Sequence, residues 1–329
     1  MRDYKKDSGN EPVYPYIKKD HVESYFLKLN VGEQALWVKF TYLRGSVAKD
    51  GVADVWAIWF DRQHAQIWKT SYSPAECSHS GDAGEAGKAP GLRFGTAQWT
   101  GNRCSGSLIG EAGEIRWDLQ LTPLADPLFL LGQDFLYADG FPGMKILSPL
   151  PAALVNGVVH VNGKEIRIQN APGMQGHNWG RKHSYHYCWG HCSAFEAEDP
   201  SVYFEGFSAK IKLGPVITPY LSMAVLHIDG RTLRWTSLRK AASHNIQSDE
   251  NSWSFAFSDN DFRLTGKMIS PQFAELDYVN PDGRISLCRN SKQARFDLEL
   301  LDLKTGSART FRSNATALEL LDLTDRRVG

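Results

Sequence analysis

The chain has 329 residues, of which 42% are hydrophobic and 22% charged, and its 37 basic side chains balance 37 acidic ones. This composition excludes a disordered chain, and the zero formal net charge argues against an electrostatic nucleic-acid partner. The length allows two domains or one large all-β domain.

The cysteine pattern bears on the compartment. Five cysteines are scattered along the chain without a CxxC pair, which is a poor disulfide framework and is typical of a reducing environment. The charged N-terminus is not followed by the apolar stretch of a signal peptide, and no apolar run is long enough to span a membrane. We therefore expect a soluble, cytoplasmic protein.

Strand patterns follow one another along the chain. Two short runs, 36–42 and 55–60, are rich in aromatic and β-branched residues, as buried strands are. Apolar and polar residues alternate with period two over 115–121, 253–257 and 262–264. Such alternation predicts a strand with one face in a core and the other in water.

Turn signals separate these runs. Asn162-Gly163 predicts a hairpin, and Asp229-Gly230 and Asp282-Gly283 repeat the signal. Helical periodicity is confined to a short stretch at 316–321, and the prolines within 141–151 suggest a crossing between domains. Many short strands joined by such turns predict an all-β protein built from barrels or sandwiches.

Histidines and aromatic residues are concentrated between 173 and 207. His186, Cys188, His191 and Cys192 are residue types that bind zinc, but on one strand 186 and 188 face away from 191. Since no HExxH or CxxC pattern is present, we interpret this segment as a histidine-rich strand. The chain also lacks a GxGxxG motif and a P-loop, so we expect neither a metal nor a nucleotide cofactor.

The same segment suggests acid chemistry in an aromatic pocket. His177 and Trp179 share one face of a strand, and so do Tyr203 and Glu205. If both faces point inward, the four side chains converge, and the buried carboxyl favours its neutral form and can act as a Brønsted acid. The alternative, in which Phe204 packs inward and Glu205 points to water, fits the alternation equally well.

A hairpin with its turn at 196–201 would pair 185–195 with 201–211. One register sets His191 opposite Glu205 and Trp189 opposite Phe207, whereas a slip of one residue would reverse the faces. In that register Trp189, His191 and Phe207, together with Tyr187, are candidate substrate-binding residues.

The Asn-Gly hairpin, the sequence Gln175–Gly180, the later Trp189-Gly190 and Tyr203-x-Glu205 resemble the tandem-lipocalin group. That group includes carotenoid 1,2-hydratase (hydroxyneurosporene synthase), tocopherol cyclase and fungal decalin-forming Diels–Alderases. The resemblance implies two tandem antiparallel lipocalin-like β-barrels, which we assign to residues 1–170 and 171–329.

The resemblance also implies catalytic residues. In the hydratases a His-x-Trp followed downstream by Tyr-x-Asp is thought to carry catalysis. His177, Trp179 and Tyr203 match this pattern, and Glu205 replaces the aspartate, which moves the carboxyl one methylene outward.

An enzyme for a bulky apolar substrate, isoprenoid or polyene, is the implied function. Glu205 would protonate an alkene before hydration or cyclisation, His177 would hold or replenish the proton, and Trp179 and Tyr203 would face the cation. A pericyclic cyclase that only holds a folded conformer, or a carrier of a lipid-like metabolite, are the alternatives. A peripheral membrane contact would serve to collect such a substrate.

Overall fold

The structure is a computed structural model that describes residues 10–16, 19–62, 64–80, 91–138 and 140–328. The strands are β1 (His21–Val31), β2 (Gln34–Gly45), β3 (Ala48–Phe60), β4 (Ala65–Tyr72), β5 (Cys77–Ser80), β6 (Gly91–Phe94), β7 (Ala97–Thr100), β8 (Arg103–Gly110), β9 (Gly113–Pro123), β10 (Leu128–Phe129), β11 (Met144–Val161), β12 (Lys164–Gly180), β13 (His186–Cys192), β14 (Tyr203–Lys210), β15 (Lys212–Leu213), β16 (Val216–Ile217), β17 (Leu221–Ile228), β18 (Arg231–Trp235), β19 (Asn245–Ser248), β20 (Ser252–Ser258), β21 (Phe262–Ile269), β22 (Ala274–Val279), β23 (Arg284–Asp302) and β24 (Ala308–Arg327). Helical structure in the described ranges consists of the 3₁₀ segments Tyr14–Tyr16, Pro74–Glu76 and Asp134–Tyr137, and no helix there is long and apolar enough to cross a membrane.

Two large antiparallel sheets follow one another along the chain. The first has the order β4-β3-β2-β1-β12-β11-β9-β8-β7-β6-β5, and the second β18-β17-β14-β13-β24-β23-β21-β20-β19. The short strands β10 and β22 pair with β11 and β23, and β15 and β16 form a separate ribbon. In each sheet the first strand pairs with the last, β1 with β12 and β13 with β24, so the two halves repeat one topology.

Each sheet curls around an apolar core, and a third core lies between the two sheets. Representative members are Leu27, Phe40 and Trp117 inside the first barrel, Phe204, Trp253 and Phe296 inside the second, and Phe26, Trp37 and Trp189 between them. The predicted all-β class with two tandem antiparallel barrels is confirmed.

The hairpin turns confirm the local predictions. Asn162 and Gly163 connect β11 to β12 with φ angles of 51° and 81°, the left-handed backbone that Asn and Gly tolerate. Asp229 and Gly230 connect β17 to β18 in the same way, with φ angles of 51° and 68°.

The helical interpretation of 316–321 is wrong, because this segment lies within β24. Leu318 and Leu320 pack inside the second barrel, whereas Ala317 and Leu321 pack between the sheets. A strand that is buried on both faces loses its polar alternation and resembles a short helix in sequence.

The crossing between the sheets also differs from expectation. Residues 144–151 are part of β11 in the first sheet, and the chain passes to the second sheet at 181–185. β12 continues past the boundary expected between 170 and 171, because its last residues pair with β1, with Gly180 opposite Val22. The division into two separate domains stays a prediction.

Candidate functional site

The hairpin of β13 and β14 has the register expected from the sequence, with Glu205 opposite His191 and Phe207 opposite Trp189. Glu205 is 1% exposed, and Phe204 on the opposite face packs inside the second barrel. Both faces of β14 are therefore buried. The carboxyl of Glu205 points neither to water nor into a barrel but into the layer between the two sheets.

Two neutral groups hydrogen-bond to the carboxyl of Glu205. The Ser148 hydroxyl donates to Oε2 over 2.7 Å, and the Trp189 indole N–H donates to Oε1 over 3.1 Å. Burial raises the pKa of Glu205 to about 7, and these hydrogen bonds only partly oppose it. The group is therefore poised to give up a proton near neutral pH.

Tyr203 lies beside Glu205 on the same face of β14. Its ring is 3% exposed and stacks on His227 with a centroid distance of 5.3 Å. Burial, together with the charge of Glu205, raises the pKa of the Tyr203 hydroxyl. The phenol therefore stays protonated beside the acid.

His177 has a different carboxylate partner from the expected one. Its Nε2 lies 2.9 Å from Glu23 Oε1, and its ring stacks on Tyr25 at 4.1 Å. The ring of Trp179 lies 4.7 Å from that of His177, so these two residues are neighbours as expected. The expected contact of His177 with Glu205 is replaced by the contact with Glu23.

Glu23 accepts hydrogen bonds from five groups, and this cluster was missed in the sequence. The partners are the backbone N–H groups of Val13 and Tyr14, the rings of His21 and His177, and the hydroxyl of Tyr25. Burial alone would raise the pKa of Glu23, but the hydrogen bonds and charges of His177 and His21 hold it well below its usual range. The alternating polar residues His21-x-Glu23-x-Tyr25 were the available signal.

A cavity of about 440 Å³ lies between the two sheets. Its wall is mostly aromatic and aliphatic and includes Phe26, Trp37, Phe207, Met223 and Tyr278. An apolar wall with few polar groups is typical of a small-molecule site.

The candidate substrate-binding residues divide into two groups. Tyr187, Trp189 and Phe207 line the cavity. His191 does not, because it is fully buried behind the wall and donates from Nε2 to the Pro151 carbonyl over 2.7 Å. Burial, with the nearby charge of Lys28, lowers the pKa of His191 well below its usual value.

This cavity is not lined by any of His177, Trp179, Tyr203 and Glu205, and their convergence on one ligand stays a prediction. On β12 it is Asn178, with its side chain on the opposite face from His177, that lines the cavity. Glu205 is connected to the wall through Trp189, whose ring lines the cavity and whose N–H donates to the carboxyl. The catalytic roles of the four residues stay predictions.

Two buried charged residues in the cavity wall were also missed. Lys39 and Glu319 both line the cavity. Glu319 Oε1 pairs with Lys292 Nζ at 2.9 Å and accepts a hydrogen bond from Asn290 at 3.1 Å. Both wall residues interrupt apolar runs, 36–42 and 317–321, and a charge inside such a run was the signal that could have identified them.

Of the four residues considered for a metal site, His191 lies on the opposite face of β13 from the other three, as expected for a regular strand, and Cys188 Sγ lies 3.6 Å from His186 Nε2. His186 hydrogen-bonds to Asp322 at 2.7 Å and to the Tyr220 hydroxyl at 2.9 Å. Cys188 packs inside the second barrel, on the opposite face from His191. All five cysteines are free thiols. Within the described ranges no group of three or more His, Cys, Asp or Glu side chains is arranged to hold a metal, and the absence of a cofactor stays a prediction.

Comparison with known families adds to this geometry. A family model described as tocopherol cyclase-like matches residues 141–320, just over half of the chain. The chain belongs to the tocopherol cyclase-like family. The match includes β13, β14 and most of β24. It does not include β1 and β2, which contribute Phe26, Trp37 and Lys39 to the cavity wall.

Solved structures resemble this tocopherol cyclase-like protein over nearly its whole length. An AttH-like protein from Nitrosomonas europaea is 12% identical with a TM-score of 0.55, and the match covers 97% of this chain and 96% of that one. CghA, solved with Sch210972, is 13% identical with a TM-score of 0.56 and coverages of 94% and 90%. Kievitone hydratase from Nectria haematococca is 11% identical with a TM-score of 0.55 and coverages of 97% and 92%.

At these identities the likeness shows the fold alone, the tandem lipocalin-like barrel. No curated protein matches the chain.

Proposed function

We propose that this protein is an enzyme that binds a bulky apolar molecule, an isoprenoid or polyene, in the cavity between its two barrels. The reaction is protonation of an alkene followed by hydration or cyclisation. Membership of the tocopherol cyclase-like family and the apolar cavity of about 440 Å³ support this proposal.

In the proposed step the Glu205 carboxylic acid transfers its proton to one alkene carbon and leaves a carbocation on the other. Water, or a hydroxyl of the substrate, forms the new C–O bond to the cation. The attacking oxygen then returns a proton to the Glu205 carboxylate. The acid is regenerated, and no oxidant, reductant or cofactor is consumed.

The observation that carries the proposal is the environment of Glu205. Its carboxyl is 1% exposed, has a pKa raised to about 7 by burial, and within the described residues receives hydrogen bonds from two neutral donors. A buried acid with a pKa near the working pH is the type of group that general acid catalysis requires.

Trp189 connects this acid to the cavity. Since its ring lines the wall and its N–H binds Oε1 of Glu205, the proposed transfer requires the indole to turn aside when the substrate enters. Trp179 and Tyr203 also lie outside the wall, so the same movement would have to bring the cation against their ring faces, each contact then contributing about 0.5–2 kcal/mol. His177 would act indirectly, because its hydrogen bond is to Glu23.

The proposal includes collection of the substrate from a membrane surface. Segments 181–186, 210–218 and 237–244 each contribute to the cavity wall, and together they hold six Lys or Arg residues and no acidic residue. Phe141 and Leu238 line the cavity yet are 62% and 43% exposed. An apolar rim among cations fits an anionic lipid surface. A cytoplasmic location is also part of the proposal, and the five free thiols support it.

Sedimentation with lipid vesicles tests this contact. We expect binding to phosphatidylglycerol vesicles and little binding to phosphatidylcholine vesicles. Leu238→Asp should weaken it several-fold, whereas Ile109→Asp, at a residue 76% exposed on β8, should not. Equal loss in both variants would contradict the proposed surface.

Incubation in deuterium oxide tests the reaction. A polyene identified by mass spectrometry of the purified protein should gain deuterium at carbon during turnover, and Glu205→Gln should abolish the incorporation. Product formation without carbon-bound label would overturn acid catalysis.

One observation favours a second candidate, a pericyclic cyclase or a carrier. The cavity wall contains Tyr187, Trp189 and Phe207 but not Glu205 itself, and such a wall could hold a folded conformer without donating a proton. Unlabelled cyclised product would identify the cyclase, and release of unchanged ligand would identify the carrier.

A further inference from the structure

Lys28, Lys39 and Lys292 are buried in the layer between the two sheets. Lys28 and Lys292 are fully buried, and Lys39 is 6% exposed. An ammonium group removed from water is costly unless oxygen atoms replace its hydration shell. The hydrogen-bond partners of each lysine therefore show whether the protein itself satisfies its ammonium group.

Lys28 and Lys292 have oxygen partners. Lys28 Nζ donates to Asn30 Oδ1 over 2.9 Å and to the Ala315 carbonyl over 3.3 Å. Lys292 Nζ donates to Asn290 Oδ1 over 2.6 Å and to Glu319 Oε1 over 2.9 Å. Both ammonium groups are therefore satisfied within the protein.

Lys39 differs from both. Its Nζ lies 3.7 Å from the ring centroid of Tyr278 and 5.6 Å from that of Trp37, and no oxygen of the described residues accepts a hydrogen bond from it. Its side chain lines the cavity. Aromatic faces attract a cation but provide no lone pair for its three N–H donors.

The Tyr278 hydroxyl, in the same part of the wall, also lacks an oxygen or nitrogen partner among the described residues. Tyr278 is 6% exposed and lines the cavity, and its hydroxyl has no hydrogen-bonded oxygen or nitrogen among the described residues. The ring of His183, another lining residue, lies 5.5 Å from that of Tyr278. The Cys288 thiol, a weak acceptor, is a hydrogen-bonding neighbour of the Tyr278 hydroxyl. Lys39 and Tyr278 thus border the same part of the wall with donors that no oxygen of the described residues accepts.

The surrounding charges leave the ammonium group of Lys39 available to bind an anion. Glu319, the carboxylate that acts on it most strongly, already holds Lys292 at 2.9 Å. Burial lowers the pKa of Lys39 to about 8, so the amine remains mostly protonated at neutral pH. His183 cannot compete for an anion, because burial and the charge of Lys39 lower its pKa to about 4.

We propose that Lys39 and Tyr278 bind an anionic oxygen of the ligand, such as a carboxylate, while the rest of the cavity holds its apolar body. The substrate class is then an amphipathic acid rather than a pure hydrocarbon. This inference rests on the proposed function only in using the same cavity.

Binding of parinaric acid and of its methyl ester, followed by polyene fluorescence, tests the proposal. The two probes share one apolar body and differ in the charged group. We expect the wild type to bind the acid at least ten-fold more tightly than the ester. Lys39→Met should weaken acid binding about ten-fold and leave the ester within two-fold, and Lys39→Arg should retain most of the preference. Tyr278→Phe should weaken acid binding about three-fold.

Lys69→Met is the matched control. Lys69 also lies over an aromatic ring, at 4.5 Å from that of Trp56, but its partner is Asp54 and it is on the surface. Lys69→Met should leave the affinities for acid and ester unchanged. Unchanged ester binding in Lys39→Met would show that this variant keeps an intact cavity.

Equal affinity of the wild type for acid and ester, no binding of the acid, or equal loss of both probes in Lys39→Met would overturn the proposal. A preference for the acid without deuterium incorporation would support this site and reject acid catalysis. Deuterium incorporation without a preference for the acid would support acid catalysis and reject the site at Lys39 and Tyr278.

Discussion

Glu23 and Glu205 are two carboxyls at 1% exposure whose pKa values move in opposite directions. Burial acts on both in the same way, by raising the pKa. Glu23 accepts five hydrogen bonds, two of them from imidazoles, and its pKa falls well below the usual range. Glu205 has two neutral donors, and its pKa rises to about 7. The donors, rather than the burial, therefore decide which carboxyl can act as an acid.

The difference predicts a structural role for Glu23 and fits the chemical role proposed for Glu205. Glu23 joins β1, β12 and the segment containing Val13 and Tyr14, because its partners come from all three. In the part of the chain that the structure describes, the Glu205 carboxyl connects β14 to Ser148 on β11 and to Trp189 on the neighbouring strand. Loss of Glu23 should affect folding first, and loss of Glu205 should affect chemistry first.

The largest expected effect is on stability. Glu23→Ala leaves two histidines, two backbone N–H groups and the Tyr25 hydroxyl without their acceptor and should lower the free energy of unfolding by about 3–5 kcal/mol. Urea denaturation followed by tryptophan fluorescence measures it. Glu114→Ala, which removes a surface partner of Arg116, should change it by less than about 0.5 kcal/mol. If Glu23→Ala lowers the free energy of unfolding by no more than Glu114→Ala does, Glu23 does not have the structural role expected here.

The pH dependence of stability should have opposite signs at the two carboxyls. Glu205 binds its proton more tightly in the folded state, with a pKa of about 7 against 4.5. Its contribution is therefore present below pH 4.5 and is lost as the pH rises to 7, by roughly 3 kcal/mol. Glu23 contributes stability above pH 4.5 that is lost as the pH falls, because its folded pKa is depressed.

Denaturation of the wild type, Glu205→Gln and Glu23→Gln between pH 4 and 8 measures both slopes. The difference between wild type and Glu205→Gln should change between pH 4.5 and 7, and that for Glu23→Gln should change at the acid end. Parallel curves for wild type and Glu205→Gln would show that the pKa of Glu205 is not raised.

For the proposed reaction, Glu205→Gln keeps the volume of the side chain and removes the proton. Turnover should fall by about 100-fold or more, while ligand binding survives within about two-fold. The rate of deuterium incorporation and parinaric acid fluorescence measure the two quantities separately. An unchanged rate of deuterium incorporation in Glu205→Gln would show that a group other than Glu205 is the acid.

The smallest expected effect is that of Trp179→Phe. A weaker ring face remains near the cation, so turnover should fall by less than about ten-fold. The carrier hypothesis predicts the reverse order, in which Trp179→Phe weakens ligand binding and Glu205→Gln has little effect. Side-by-side measurement of binding and turnover in the two variants distinguishes them.

Much of the fold could be predicted because the relevant signals are local. Period-two alternation over 115–121 and 253–257 and the Asn162-Gly163 turn depend on residues close together in the chain. The β13–β14 register, with Glu205 opposite His191, also follows from one hairpin. The clustering of His177 with Trp179 was predicted for the same reason, since they are two residues apart on one strand.

Partners that are distant in sequence could not be predicted in this way. Glu23 and His177 are 154 residues apart and meet only because β1 pairs with β12. Glu205 meets Ser148 across the gap between the sheets, 57 residues away. Such contacts depend on how the sheets close and pack, which local periodicity does not encode.

The sequence by itself determined the strands, the turns and the family resemblance, because each depends on residue order over short distances. Only the tertiary structure decided what covers each strand face. In β1 and β2 the polar side chains of Ser24, Lys28 and Lys39 alternate with apolar ones, and such a pattern usually indicates water on one side. The second barrel covers that side, so these groups are buried between the sheets, where a ligand cavity and its unsatisfied cation can form.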